Sequence, residues 1–268
     1  MSSTPVKKLV REATASKPLR TLARTGFAVN GLMHVVIGVV AIGIATGSGG
    51  EADQSGAFAT LATAPGVPFM LWIIVSGMVA LGVWLILAAF LIPGADPKRK
   101  WAHRIAEIAK GLVYLALGAT AFSFARGGST NSASASQNFS ATLLAAPGGV
   151  IVLVVAGLAV VGIGGYFIVK GATRKFKQNI RVSSGAAGRA TVFAGVVGYI
   201  AKGLALCVVG ILVVVGALVA NPTQSTGLDG ALHTFATLPF GPWILAAVGI
   251  GLIAYGLYSF ARARLARL

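Results

Sequence analysis

Five side chains with polar or charged ends interrupt otherwise apolar stretches of this chain: Asn30, His34, Glu107, Lys110 and Lys202. A charge at the middle of a bilayer costs about 2.5–3.5 kcal/mol even on the milder insertion scale, so such groups are candidates for function. Asn30, Lys110 and Lys202 each stand directly before a Gly-Leu pair, as Asn30-Gly31-Leu32, Lys110-Gly111-Leu112 and Lys202-Gly203-Leu204. If these segments repeat around an axis, the three side chains share one depth and can form a ring. His34, Tyr114 and Leu206 then lie one turn deeper on the same face. A ring of that composition suits a cytoplasm-facing pocket for an anion, a lipid headgroup or a carboxylate. A plainer reading competes with it. Arg24 and Arg104 lie six residues before Asn30 and Lys110, about 9 Å at the helical rise, and a lysine stem can snorkel across much of that distance. Glu107 and Lys110, three apart, can also neutralise each other on one helix face.

Catalytic chemistry lacks its parts. There is no Ser-His-Asp set, no HExxH element, no phosphate-cradling loop and no pair of carboxylates on one apolar face, so the expectation is a protein that is not an enzyme. His34, His103 and His233 fall at different depths, which leaves no bis-histidine haem site. Cys207 is the single cysteine and lies in an apolar run, so neither an intramolecular disulfide nor a cysteine metal cluster is available. No cofactor is expected.

The elements that must position these residues are membrane helices. Mean hydropathy is +0.85, with 56% hydrophobic and 10% charged residues. Charge-free runs such as Gln54 to Ala95 and Gly127 to Val169 hold one or two stretches each near the ~20 residues that cross a bilayer as helix. Their continuous apolarity argues against a barrel, which alternates in and out. Helices are predicted at about 25–46, 68–92, 104–125, 149–170, 194–220 and 241–261, with short interfacial helices at 55–64 and 227–238. Nineteen of the 22 basic residues fall in four hydrophilic stretches (Lys7 to Arg24, Lys98 to Arg104, Lys170 to Arg189 and Arg262 to Arg267), while the hairpin connections hold only Glu51, Asp53, Arg126 and Asp229. That asymmetry predicts both termini in the cytoplasm and a plasma-membrane location. It also accounts for the net charge of +16 without nucleic acid, since no basic cluster is interleaved with aromatics. The first 24 residues are polar and basic and the first apolar run is long enough to remain as a span, so no cleaved leader is expected.

Internal repetition organises the chain into a basic tail (1–22), three hairpins (23–93, 102–171 and 191–261), a basic linker (172–190) and a basic tail (262–268). After each polar position a second glycine follows seven residues on, at Gly38, Gly118 and Gly210. A Thr-x4-Pro element then recurs at Thr60, Thr142 and Thr234, and the second span carries Gly77, Gly157 and Gly249. Two spans per copy make these parallel repeats. The simplest closed arrangement is a pseudo-threefold bundle of six helices, and a row of hairpins is the alternative. Glycines on one face allow backbones to approach, which drives helix association in lipid.

The Lys-Gly-Leu elements, the segment from Gly230 to Gly241 and Ala254-Tyr-Gly-Leu-Tyr258 resemble the domain of unknown function 1206 family, membrane proteins of three tandem two-helix repeats. The resemblance covers about residues 20–262 and implies an all-α polytopic fold. Asn30 departs from its lysine pattern, as does a two-residue insertion after Pro65. The family implies no activity. The leading expectation is therefore a non-catalytic accessory component that attracts anionic cytoplasmic headgroups and engages a membrane-protein partner. The alternative is a small pore, carrier or sensor built on Asn30, Lys110 and Lys202.

Overall fold

The computed structural model describes residues 17–63, 68–90, 97–182 and 184–266. The expectations for the tail before residue 17, the Pro65 element with its insertion, and Arg267 lie outside these residues. Among the described residues nine α-helices follow in order: α1 Lys17–Ala45, α2 Gln54–Thr63, α3 Pro68–Phe90, α4 Pro97–Ala125, α5 Ser132–Leu144, α6 Gly149–Ala172, α7 Gly185–Leu218, α8 Gly227–Thr237 and α9 Gly241–Leu265. Six of them, α1, α3, α4, α6, α7 and α9, are long and apolar enough to cross a membrane. The protein is an all-α polytopic membrane protein of three two-helix repeats, each with a short helix in its connection.

Several helices run past their predicted ends. α4 starts at Pro97 and α7 at Gly185, seven and nine residues before the sequence expectation. Apolarity marks only the part of a helix that lipid covers, whereas Lys98, Arg99 and Lys100, or Ala186, Ala187, Arg189 and Ala190, are good helix formers at a wet end. Proline at the opening of α4 is tolerated because its missing N–H would have no intrahelical partner there.

The chain packs as two compact units. One comprises Met1–Asn30, Leu61–Gly128 and Ser259–Leu268, and the other Gly31–Thr60 and Ser129–Tyr258. In the first unit α3 and α4 meet at Gly82 and Gly111, where a Cβ added to either would lie 2.8 Å from the other's carbonyl oxygen. In the second, α6 and α7 meet the same way at Gly164 with Gly203 and at Gly157 with Gly210. There also α1 meets α9, with Gly38 against Gly249 and Gly31 against Gly256. The first span of each repeat thus packs on the second span of another repeat. α1 and α9, the first and last spans, are neighbours within the second unit.

These contacts reassign one glycine. Gly82 is the equivalent of Gly164 and Gly256, 82 and 174 residues on, and at those offsets Gly157 and Gly249 fall on Val75 rather than on Gly77. Gly77 packs instead on α1, with its carbonyl oxygen 2.5 Å from a Cβ placed on Gly26.

Hydrogen bonds tie the three connections together within the second unit. Asp229 Oδ1 accepts from the Ala52 N–H at 2.7 Å, joining repeat 3 to repeat 1. Asn131 donates to Glu51 at 2.9 Å, and Ser55 Oγ lies 2.6 Å from Ser132 Oγ, joining repeats 1 and 2. Gln137 donates to the Thr223 carbonyl at 3.3 Å, joining repeats 2 and 3. The repeated threonine has one local role: Thr60, Thr142 and Thr234 each donate to the carbonyl four residues back, at 2.8, 2.9 and 2.8 Å.

Candidate functional site

The three repeat-equivalent positions have three different partners. Asn30, buried in the first unit, donates from Nδ2 to Ser259 Oγ at 3.4 Å. Lys110 bonds to Glu107 on the same helix, with its side chain 52% exposed. This is the neutralising pair that the three-residue spacing allows. Lys202, in the second unit, lies with Nζ 3.1 Å from His34 Nε2. An ammonium group has donors only, so it donates and the imidazole accepts, which places the ring proton on Nδ1. Tyr114 packs with Phe27, Leu81 and Leu85 in the core of the first unit.

Around Lys202 the second unit builds an aromatic cluster. Its Nζ stands 4.4 Å from the Tyr255 ring centre and 5.7 Å from that of Phe167. Tyr255 also lies against His34, at 4.7 Å between ring centres, and against Tyr199 at 5.2 Å. Lys170 stands over Tyr199 at 5.1 Å. Phe176 stacks on the far side of the group, 5.3 Å from Tyr199 and 5.2 Å from Tyr258. Rings take a cation on their negative π face, at about 0.5–2 kcal/mol each.

Glycines make the approach possible. A Cβ on Gly198 would stand 2.4 Å from the Tyr255 Cα, and one on Gly195 would stand 2.5 Å from the Phe176 ring. Gly203, next to Lys202, packs on Gly164 of α6, eight residues from the end of that helix at Ala172, or about 12 Å. Tyr255, Tyr199, Phe167, Phe176 and Lys170 were not singled out as site residues from sequence. The available signal was the Ala254-Tyr-Gly-Leu-Tyr258 element, whose tyrosines, three apart, share one face of α9.

A second polar group lies at the connections. Asp53 accepts from the Gly56 N–H at 2.9 Å as the cap of α2. Burial, with a further contribution from Asp229, pushes its carboxyl above the usual aspartate range against the pull of the Gly56 and Ser55 N–H groups and the Ser132 hydroxyl. Glu51 is raised as well, by desolvation and then by Asp53 and Asp229, with Asn131 opposing. Among the described residues no group of His, Cys, Asp and Glu has the arrangement to hold a metal.

With this geometry in view, the comparisons with known proteins fall into place. The profile of the Domain of Unknown Function (DUF1206) matches the chain three times, at 25–91, 106–174 and 197–266. The chain belongs to the DUF1206 family. Each match takes in one two-helix repeat, so the family's unit is the hairpin, whereas the compact units cut across hairpins because glycine contacts join spans of different repeats. The chain is also similar to the uncharacterized protein YxxB of Bacillus subtilis (strain 168). They are 28% identical over 256 residues, which cover 91% of this chain and 90% of the relative. No solved structure matches it.

Proposed function

We propose that this DUF1206 protein is a non-catalytic component of the plasma membrane, with both termini cytoplasmic, that holds an anionic headgroup or small anion at the Lys202 cluster and acts through a membrane-protein partner. The observation that carries this reading is the placement of Lys202. Its ammonium lies against His34 and over the rings of Tyr255 and Phe167, and Lys170 stands over Tyr199 of the same aromatic group, so two cations gather at one cluster. Three of the six carboxylates, Glu51, Asp53 and Asp229, lie in the hairpin connections, while 19 of the 22 basic residues fall in the four hydrophilic stretches at the other ends of the spans. Anionic lipid on that side gains about 1 kcal/mol per well-placed charge. Lys110, exposed and bonded to Glu107 on its own helix, supports binding at one cluster over permeation through a ring of three.

The test is lipid retention by purified protein in nanodiscs containing phosphatidylglycerol and phosphatidylcholine, read by native mass spectrometry. Lys202→Met, which keeps the stem and removes the charge, is expected to lower the preference for phosphatidylglycerol about tenfold. Competition by inorganic phosphate would assign the site to a free anion. Retention unchanged by Lys202→Met would defeat the reading, and liposome solute flux abolished by the same change would establish a carrier instead.

A further inference from the structure

A cavity of about 260 Å³ opens between α7 and α8 in the second unit, lined by Leu212, Thr223, Gln224, His233, Thr234 and Thr237 among others. It lies at the connection end, six residues before α7 finishes at Leu218, and is unrelated to the Lys202 cluster. Its chemistry can be read from where the hydroxyl protons go. Thr234 donates to the Gly230 carbonyl at 2.8 Å, Thr237 to the Thr234 carbonyl at 2.9 Å, and Thr223 to Asn221 Oδ1 at 2.6 Å. A hydroxyl has one proton, so each of these oxygens is left with acceptor lone pairs only. His233 Nδ1 is 3.1 Å from the Asp229 carbonyl and 3.3 Å from the Asp229 carboxylate, two acceptors, so Nδ1 carries a proton.

Three threonine oxygens therefore accept in one small cavity that the Gln224 amide and the Thr226 hydroxyl also line, the Asp229 carboxylate stands behind His233, and Glu51 and Asp53 add negative charge to the same unit. The complement of such a site is a compact group with several N–H donors and a positive charge. We infer that this cavity binds a primary alkylammonium of a few heavy atoms, its N–H groups on the threonine oxygens, its charge facing the Asp229 side, and its methylenes against Leu212. A volume below the usual range for drug-sized ligands limits it to a small molecule or the tip of a larger one. Ethanolamine has this chemistry, either free or as the headgroup of phosphatidylethanolamine.

The test is calorimetric titration of the purified full-length protein with ethanolamine at neutral pH, beside ethylene glycol as the uncharged analogue. Saturable binding of ethanolamine alone is expected. Thr234→Val removes an acceptor without changing shape, and Asp229→Asn removes the charge while leaving an oxygen for the Ala52 N–H. Each should weaken binding at least tenfold. Thr237→Val at the exposed rim should weaken it severalfold and serves if the other variants misfold. No saturable binding, equal binding of ethylene glycol, or indifference to the folded variants would overturn the proposal. A preference for phosphatidylethanolamine over phosphatidylcholine in nanodiscs, lost in Thr234→Val, would place the ligand on a lipid. Ethanolamine binding without that preference would place it in solution.

Discussion

Asp53 shows how one buried carboxylate makes the connections sensitive to pH. Its folded pKa lies above the unfolded value, so the folded protein takes up a proton more readily than the unfolded chain. A raised carboxylate destabilises the folded state above its folded pKa, and this penalty fades as pH falls through that value toward the ordinary aspartate range. Asp53→Asn keeps an oxygen for the Gly56 N–H and removes the charge. Its melting temperature should exceed that of the natural protein at pH 7.5, with the gap closing as the buffer is acidified to about pH 4. A variant that melts lower at pH 7.5 would mean that the Gly56, Ser55 and Ser132 hydrogen bonds to the charged form outweigh burial. His34 is checked at the same scale. His34→Leu takes away the acceptor facing Lys202 and is expected to cost about 1–3 kcal/mol of stability, measurable by thermal unfolding followed by circular dichroism.

At the scale of the helix, position along α6 decides what a glycine does. Gly157 faces α7, where an added Cβ would lie 2.6 Å from the Val214 side chain and 2.8 Å from the Gly210 carbonyl oxygen. Gly162 has open space, with nothing within 4 Å of the same construction. Gly157→Ala should therefore destabilise by about 1–3 kcal/mol through overpacking. Gly162→Ala should be neutral or stabilise by up to about 1 kcal/mol through helix propensity. Matching thermal shifts for the two variants would argue against the α6–α7 packing described here. The comparison is a strict one because both residues sit on the same helix five positions apart. Composition alone treats them alike.

At the scale of the whole molecule, the question is what brings three hairpins together. In lipid the apolar faces gain nothing from leaving water, so close backbone packing and interhelical hydrogen bonds carry association. The connections add hydrogen bonds between every pair of repeats, through Asp229 with Ala52, Asn131 with Glu51, and Gln137 with Thr223. A cross-link tests this arrangement. With Cys207→Ser as background, Ser55→Cys together with Ser132→Cys should form a disulfide under mild oxidation, because the two hydroxyl oxygens are 2.6 Å apart. Persistent free thiols in a folded double variant would show that repeats 1 and 2 do not meet at their connections. The orientation proposed for the chain has its own check. A cysteine at His233 should react with an impermeant reagent from outside intact cells, while one at Arg189 should react only in inside-out vesicles.

Much of this architecture was readable from residue order. Runs of apolar residues near span length, three Gly-Leu signatures and matching threonines are local properties, and local properties determine how many spans exist and how they repeat. The close approach of α1 and α9 was not readable, because Gly38 and Gly249 are 211 residues apart and any glycine-bearing face can serve several partners. The polar positions divide in the same way. Glu107 with Lys110 follows from spacing on one helix. The meeting of Lys202 with His34, 168 residues away, and the gathering of Tyr199, Tyr255 and Phe167 around it depend on which helices become neighbours. Sequence by itself determined a six-span, three-repeat membrane protein, since solvation by lipid or water acts on each segment separately. Only tertiary structure decided that one of the three equivalent polar positions, Lys202, sits in an aromatic cluster, because contact between distant helices is a property of packing.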